Sequence, residues 1–322
     1  MKAWINACVL GCVGLFAMPS SALAQEAPFP KRGNIEITVL FPAGTSADIT
    51  ARLLAQGMSK HLGVNVLSVN RPGAGGAIGY RHVAAQKPDG YALVWNSNSI
   101  STAYHSGQSP HDFRAFDAVA RALIETPIIV VQADSKWKTL KDLIADAKAR
   151  PGKITVANSG VGSHTHLTSV ALFRTAGVEV LDVPYGAAQV VPNLLGGHVD
   201  VVVQLPGALA GHVKSGTVRV LAAVTAQRDP TLPDVPTAQE QGHNVSLEAW
   251  RGIAVPRGTP RPVIAMLEAA VRATVQSPEF ATASEKLYIR PAFMPATEFG
   301  EFIAKEDADL ARIMQIMNLT RR

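Results

Sequence analysis

The sequence predicts an α/β protein built from two mostly parallel sheets flanked by helices, and three observations carry that expectation. Short β-rich apolar runs alternate with helical runs almost throughout the 322 residues, and such alternation argues for parallel strands joined by crossover helices. The alternation falls into two series, each with a Gly/Ser/Thr loop between an apolar run and a helix start. Two long apolar runs, 119–132 and 245–255, stand where the chain would leave the first sheet and return to it. The expected division is therefore 25–125 with 249–322 for a discontinuous first lobe and 126–248 for the second.

The first series reads as strand 35–41, helix 47–61, strand 64–69, helix 77–86 and strand 91–95. The outgoing run 119–132 is interrupted by Glu125-Thr126-Pro127. The second series begins with a helix at 139–150, stopped by Pro151-Gly152, and alternates through 154–157, 163–175, 178–183, 187–195, 199–203 and 218–224. After the return run, 260–275 and 296–317 have helical periodicity.

Residues 1–24 have the form of a secretory signal: Lys2 opens it, 7–18 is its apolar core, and Ala22-Leu23-Ala24 supplies a small-residue cleavage site. Cleavage after Ala24 would place Gln25 first and the protein in the periplasm. Cys8 and Cys12, the chain's two cysteines, would leave with the signal. Leu10-Gly11-Cys12 faintly resembles a lipobox, but too little apolar sequence precedes Cys12 for an ordinary signal core. The remaining chain needs no disulfide, because a domain of this size buries a sufficient core.

The formal net charge is +5, and removal of Lys2 with the signal lowers it by one. Such a mildly basic surface helps to draw in small acids. The Lys and Arg residues are scattered without a basic run studded by aromatics, so no nucleic-acid partner is expected.

The chemistry concentrates in the two loops. Pro42-Ala43-Gly44-Thr45-Ser46-Ala47-Asp48 opens the first helix, with Thr45 and Asp48 spaced as a capping pair and Arg52 as the i+4 partner of Asp48. Asn158-Ser159-Gly160-Val161-Gly162-Ser163 opens the second, with Ser163 where an N-cap would sit. Each loop would expose backbone N–H groups at the positive end of a helix dipole, which suits an anion without a cationic side chain. Both have a plainer reading, as caps and strand-to-helix turns.

His164 and His166 diverge at i,i+2 on a helix and have no acidic or thiol neighbour in sequence, so no metal is expected. Gly73, Gly75 and Gly79 imitate a dinucleotide fingerprint with one residue too many before the third glycine, and read as a close-packing turn. No cofactor is expected. The sequence also lacks a G-x-S-x-G elbow and an H-E-x-x-H helix.

The same residues carry a family resemblance. Residues 42–52, Asn70-Arg71-Pro72-Gly73-Ala74-Gly75-Gly76, Pro88-Asp89-Gly90-Tyr91, Gly160-Val161-Gly162-Ser163 with His166-Leu167, Val183-Pro184-Tyr185 and Leu232-Pro233-Asp234-Val235-Pro236-Thr237 resemble, in family order, the Bug family. Those proteins are periplasmic substrate-binding receptors of tripartite tricarboxylate transporters. The resemblance implies a two-lobed Venus-flytrap fold, no catalysis, a small carboxylate as ligand, a likeness to receptors that act as monomers, and the membrane permease subunits as partners. Two departures stand out: Val69 replaces the glutamate usual before Asn70, and Tyr185-Gly186 lacks the lysine that commonly separates them.

On this basis the expected ligand site comprises Ala43, Gly44, Thr45, Ser46 and Asp48 from the first loop and Ser159, Gly160, Gly162, Ser163 and His166 from the second. The strand ends add Asn96, Ser97, Tyr185 and Gln204, and the return crossing adds Trp250, placed either over the pocket or against the hinge. A carboxylate sensor for a signalling partner and a secreted enzyme acting on a carboxylated substrate are the alternatives; the second lacks a nucleophile or base with a positioned partner.

Overall fold

A computed structural model describes residue 1 and residues 28–320. The expected signal, its cleavage point and both cysteines lie outside the described residues.

The first series forms β1 (Ile35–Val39), α1 (Ser46–Leu62), β2 (Val66–Asn70), α2 (Ala77–Ala84), β3 (Ala92–Ser97), α3 (Ser99–His105) and β4 (Phe116–Glu125). The chain then enters a second sheet through β5 (Ile128–Gln132), α4 (Leu140–Ala149), β6 (Thr155–Asn158), α5 (His164–Thr175), β7 (Leu181–Pro184), α6 (Val190–Leu195), β8 (Val201–Gln204), α7 (Ala210–Ser215) and β9 (Val218–Ala223). It returns through β10 (Ala249–Pro256) and ends in α8 (Arg261–Val275), α9 (Pro278–Lys286), β11 (Arg290–Pro295) and α10 (Ala296–Ile316).

The first sheet has the order β11-β4-β10-β3-β1-β2 and the second β7-β6-β8-β5-β9. Both are mixed, which corrects the expectation of mostly parallel sheets. β1 pairs in parallel with β2 and β3, and β6 with β7 and β8, but β10 is antiparallel to β3 and β4, and β5 to β8 and β9. The reason lies in the crossings. β4 runs out towards the second sheet, so β10, returning at that same end, must run the other way. Parallel pairing would have required a further traverse of the sheet. As a result, β1, β3, β6 and β8 all point their C-terminal ends at the space between the sheets, the position where open α/β sheets bind ligands.

Alternate residues of the central strands feed cores on both faces. Leu93 and Trp95 enter one cluster and Val94 the opposite one; Ile129 and Val131 divide in the same way from Ile128 and Val130. Burial on both faces explains why these strands read as continuous apolar runs.

Four elements escaped the sequence reading, among them the short helix α7 between β8 and β9. α3 is Ser-Ile-Ser-Thr-Ala-Tyr-His, weak in helix formers, and is held by burial of Ser99 through Ala103. β11 contains Pro291 and Pro295, tolerable because it is an edge strand. α9 begins at Pro278 behind the Ser277 cap. α10 also does more than expected: Phe299 and Ile303 pack against the first sheet, whereas Leu310 and Met314 join the core of the second. One helix thus straps both lobes, whereas the sequence division places all of 249–322 in the first.

Candidate ligand-binding cleft

The first loop is set by a network around Asp48. Thr45, extended at φ −78° and ψ 161°, caps α1 by accepting from the Asp48 N–H at 3.4 Å, and its hydroxyl donates to Pro42 O at 2.7 Å. The Asp48 carboxylate accepts from Gly44 N at 3.1 Å, Arg52 Nε at 2.9 Å and Asn70 Nδ2 at 2.9 Å. Burial alone would raise the Asp48 pKa, but the hydrogen bonds from Arg52, Asn70 and Gly44 outweigh it and hold the carboxyl below its ordinary value. Asp48 and Gly44 therefore build the loop from behind. Thr45, Ser46 and Ala47 present its face, and the first-turn amides of Ser46 and Ala47 have no intrahelical acceptor.

The second loop is wired internally. Ser163 caps α5 by accepting from His166 N at 3.2 Å. Ser159 N donates to Thr165 Oγ1 at 3.0 Å, and Gly160 N to Asn158 Oδ1 at 3.1 Å. Gln204 Nε2, at the end of β8, donates to Ser159 Oγ at 3.3 Å. Replacing Ser163 with alanine removes the cap, and we expect it to cost about 1 kcal/mol of stability, measurable by urea denaturation.

Of the expected residues, Thr45, Ser46, Ser97, Ser159, Ser163 and Gln204 come together around one cleft between the lobes. The others are placed elsewhere. Ala43 is off the lining. Asn96 is buried behind the wall, where Tyr80 OH donates to its Oδ1 at 2.8 Å. His166 sits 3.5 Å from Asp182, away from the cleft, and Tyr185 packs on the core of the second lobe.

Gly160 approaches Tyr185 O of its own lobe, whereas Gly162 belongs to a lobe-to-lobe contact. Thr102 Oγ1 donates to Gly162 O at 2.6 Å, Gln108 Nε2 donates to Val161 O at 2.8 Å, and a Cβ on Gly75 would lie 3.0 Å from the Gly162 carbonyl carbon. Of the glycines in the first lobe's false fingerprint, Gly75 thus serves close packing across the lobes, while Gly73 and Gly79 pack against Ile78, Leu40 and Thr38 of their own lobe.

Trp250 lies behind the cleft. Its ring meets Phe299 edge-on at 5.1 Å, and its Nε1 donates to Glu306. It lines a rear cavity of about 660 Å³ with Glu306. Burial pushes the Glu306 pKa up to about 7, although hydrogen bonds from Trp250 and Asn98 oppose the rise. Because the folded-state value exceeds the ordinary 4.5, the folded form holds more protons between these values, and stability falls as pH rises from about 4.5 to about 7. Buried His164, lowered by desolvation to about 4 from 6.5, acts in the opposite sense: its contribution is present above about 6.5 and is lost as pH falls towards 4. Between pH 6 and 8 Glu306 therefore dominates. Thermal unfolding should show a smaller loss over that interval in Glu306→Gln than in the wild type.

The floor of the cleft contains what the loop-centred reading missed. β10 alternates, sending Trp250 to the rear and Arg251 to the cleft, next to a register shift between Arg251 and Gly252. Arg251 Nε donates to Glu125 Oε2 at 2.6 Å, with the side chains 5% and 0% exposed, and Ser46 Oγ donates to the other carboxylate oxygen. The pair ties the outgoing crossing, the return crossing and the first ligand loop together. A signal was present in the sequence: Glu125 and Arg251 are charged residues within apolar strand runs, where unpaired charge is rarely buried.

Among the described residues, no group of three or more His, Cys, Asp or Glu side chains gathers as a metal site, and no helix is long and apolar enough to cross a membrane.

The walls enclose only about 30 Å³, room for about one water, so the lobes are closed on each other and entry of an organic acid requires them to part. Two α/β lobes, joined by paired crossings and closing on a polar cleft between helix N-termini, define a hinged solute-binding protein. The chain belongs to the tripartite tricarboxylate transporter family receptors, whose family model matches residues 50–319; these are the periplasmic solute-binding receptors of the Bug type.

Its fold is similar to the periplasmic binding protein BugD, with 28% identity, a TM-score of 0.86 and coverage of 91% of this chain and 100% of that one. It is likewise similar to R. palustris Rpa4515 with adipate (25%, TM-score 0.86, coverage 91% and 99%). MatC (Rpa3494) from Rhodopseudomonas palustris with bound malate matches at 26% identity and TM-score 0.82, over 88% of this chain and 99% of that one.

Proposed function

We propose that this protein captures a small carboxylate between its lobes and delivers it, chemically unchanged, to the membrane permease subunits of a tripartite transporter, acting as a periplasmic monomer after loss of residues 1–24. The observation that carries this reading is the convergence of two capped helix N-termini, α1 from one lobe and α5 from the other, on a single closed cleft. Such termini favour anions. Adipate and malate, held by the two similar proteins, support the ligand class.

The cleft-lining hydroxyls of Ser97, Ser159 and Ser163 supply hydrogen bonds to the acid, the Thr45 and Ser46 hydroxyls being committed to Pro42 O and Glu125, while closure uses the binding energy to select one state of the hinge. No nucleophile with a positioned base enters this account.

The test is thermal unfolding and calorimetry of protein recovered from the periplasm, whose first residue should be Gln25. At a hundredfold excess over its dissociation constant the correct acid should stabilise the fold by about 2.7 kcal/mol, and be recovered intact. Turnover of the acid, or no response to any di- or tricarboxylate, amino acid or aromatic acid, would overturn the reading.

A further inference from the structure

Two enclosed polar atoms on cleft-lining residues have no hydrogen-bond partner among the described residues: Arg251 Nη1 and His164 Nδ1. Leaving such atoms unpaired is costly, and most costly for a charged group. Both side chains line the cleft, His164 at the wall it shares with the rear cavity, and an orphaned polar atom on such a side chain is one that a ligand can complete.

Their chemistry is complementary. Arg251 is 4% exposed and fixed through Nε by Glu125, so its guanidinium is pre-oriented and Nη1 is a charged donor. The ring nitrogen His164 Nε2 lies 3.0 Å from Leu247 O. A carbonyl oxygen only accepts, so Nε2 carries the hydrogen and Nδ1 of the neutral ring is a bare acceptor. The lowered His164 pKa agrees with a neutral ring, and Arg251 is near enough for its charge to contribute to that lowering after desolvation. A lone carboxylate would satisfy the first atom but not the second. An ammonium beside the carboxylate would need an anion, yet among the described residues no acidic one lines the cleft and the buried Glu125 is already engaged by Arg251 and Ser46.

Resting on the carboxylate reading above, we propose that Arg251 and His164 are specificity-determining residues: Arg251 Nη1 donates to a ligand carboxylate oxygen while His164 Nδ1 accepts from a neighbouring hydroxyl, so the preferred ligand is a hydroxycarboxylate. Glu125 acts through Arg251 as a positioning residue. This recognition lies outside both glycine loops and depends on side chains contributed by the return crossing and by the first turn of α5.

The test is calorimetric titration of acid pairs that differ by one hydroxyl: malate and succinate, lactate and propionate, mandelate and phenylacetate. The wild type, Arg251→Lys and His164→Phe are compared after circular dichroism has shown each to be folded. The wild type should prefer the hydroxylated member of the pair it binds by about tenfold. His164→Phe should bring that ratio close to one, and a ratio within one variant is insensitive to partial loss of folded protein. Arg251→Lys keeps a cation for Glu125 but lacks the fork needed to serve Glu125 and ligand together. It should weaken both members of the pair about tenfold or more, since the lost bond is charge-assisted. Binding without hydroxyl preference, an unchanged ratio in His164→Phe, or unchanged affinity in Arg251→Lys would overturn this assignment and leave the carboxylate reading standing. Failure of the wild type to bind any of the six acids would overturn this assignment, and the carboxylate reading falls with it only if the wider panel of di- and tricarboxylates, amino acids and aromatic acids also gives no response.

Discussion

Glu125→Leu is expected to lower the unfolding free energy by about 3–5 kcal/mol, because it leaves the buried Arg251 guanidinium without its counter-charge. Both side chains are almost inaccessible, and the 2.6 Å contact between them closes the base of the cleft. Removal of the carboxylate also takes the acceptor from Ser46 Oγ. Arg251→Met should cost a comparable amount for the reciprocal reason. The double variant Glu125→Leu with Arg251→Met should recover much of the loss, since replacing a whole buried pair with apolar side chains of similar size is often neutral. Urea denaturation of the four proteins gives the coupling directly. Simple additivity of the two single losses would show that the pair is not energetically coupled.

The other large effect concerns closure. Gly207, just after β8, faces Ser46 across the cleft so closely that an added Cβ would lie 2.5 Å from Ser46 Oγ and 3.2 Å from its Cβ. Gly207→Val therefore conflicts with the closed arrangement alone: when the lobes part, the clash disappears and each lobe can remain folded. Overpacking of this kind costs about 1–3 kcal/mol. Charged against the closed state, that corresponds to roughly a 5- to 150-fold rise in apparent dissociation constant.

Gly162→Val should be at least as severe. Its Cβ would meet Gln108 Nε2 at 2.6 Å and Ser106 Oγ at 3.0 Å, and its φ of +78° disfavours any side chain. The checks are calorimetric affinity for the bound acid and small-angle scattering, in which both variants should remain extended at saturating ligand for the wild type. A folded Gly207→Val protein with normal affinity and normal compaction would exclude this contact from the binding state.

The position of Arg251 on the cleft floor shows how the lining differs from its sequence signature. The two Gly/Ser/Thr loops identify helix starts through local chemistry: Thr45 with Asp48 and Ser163 with the His166 amide are interactions within a few residues. Their proposed role as ligand cradles is not local. Ser159 donates its amide to Thr165 on α5 and Gly160 to Asn158 of the loop itself, while Gly162 meets the opposite lobe. Arg251 gives no loop or glycine signal at all, because its role depends on Glu125, 126 positions away in sequence.

By itself the sequence determined the α/β alternation, both capped helix starts, the two crossings and the family, since periodicity, capping and motif order depend on near neighbours. Tertiary structure alone decided the antiparallel direction of β10, which follows from re-entry beside the departing β4. It also decided that α10 straps both lobes, that Trp250 lies behind the cleft, and that Arg251 and His164 meet its interior. These outcomes depend on which side of a strand or helix faces a partner distant in the chain. No window of neighbouring residues contains that information, because burial and the pairing of buried charge are properties of the assembled lobes.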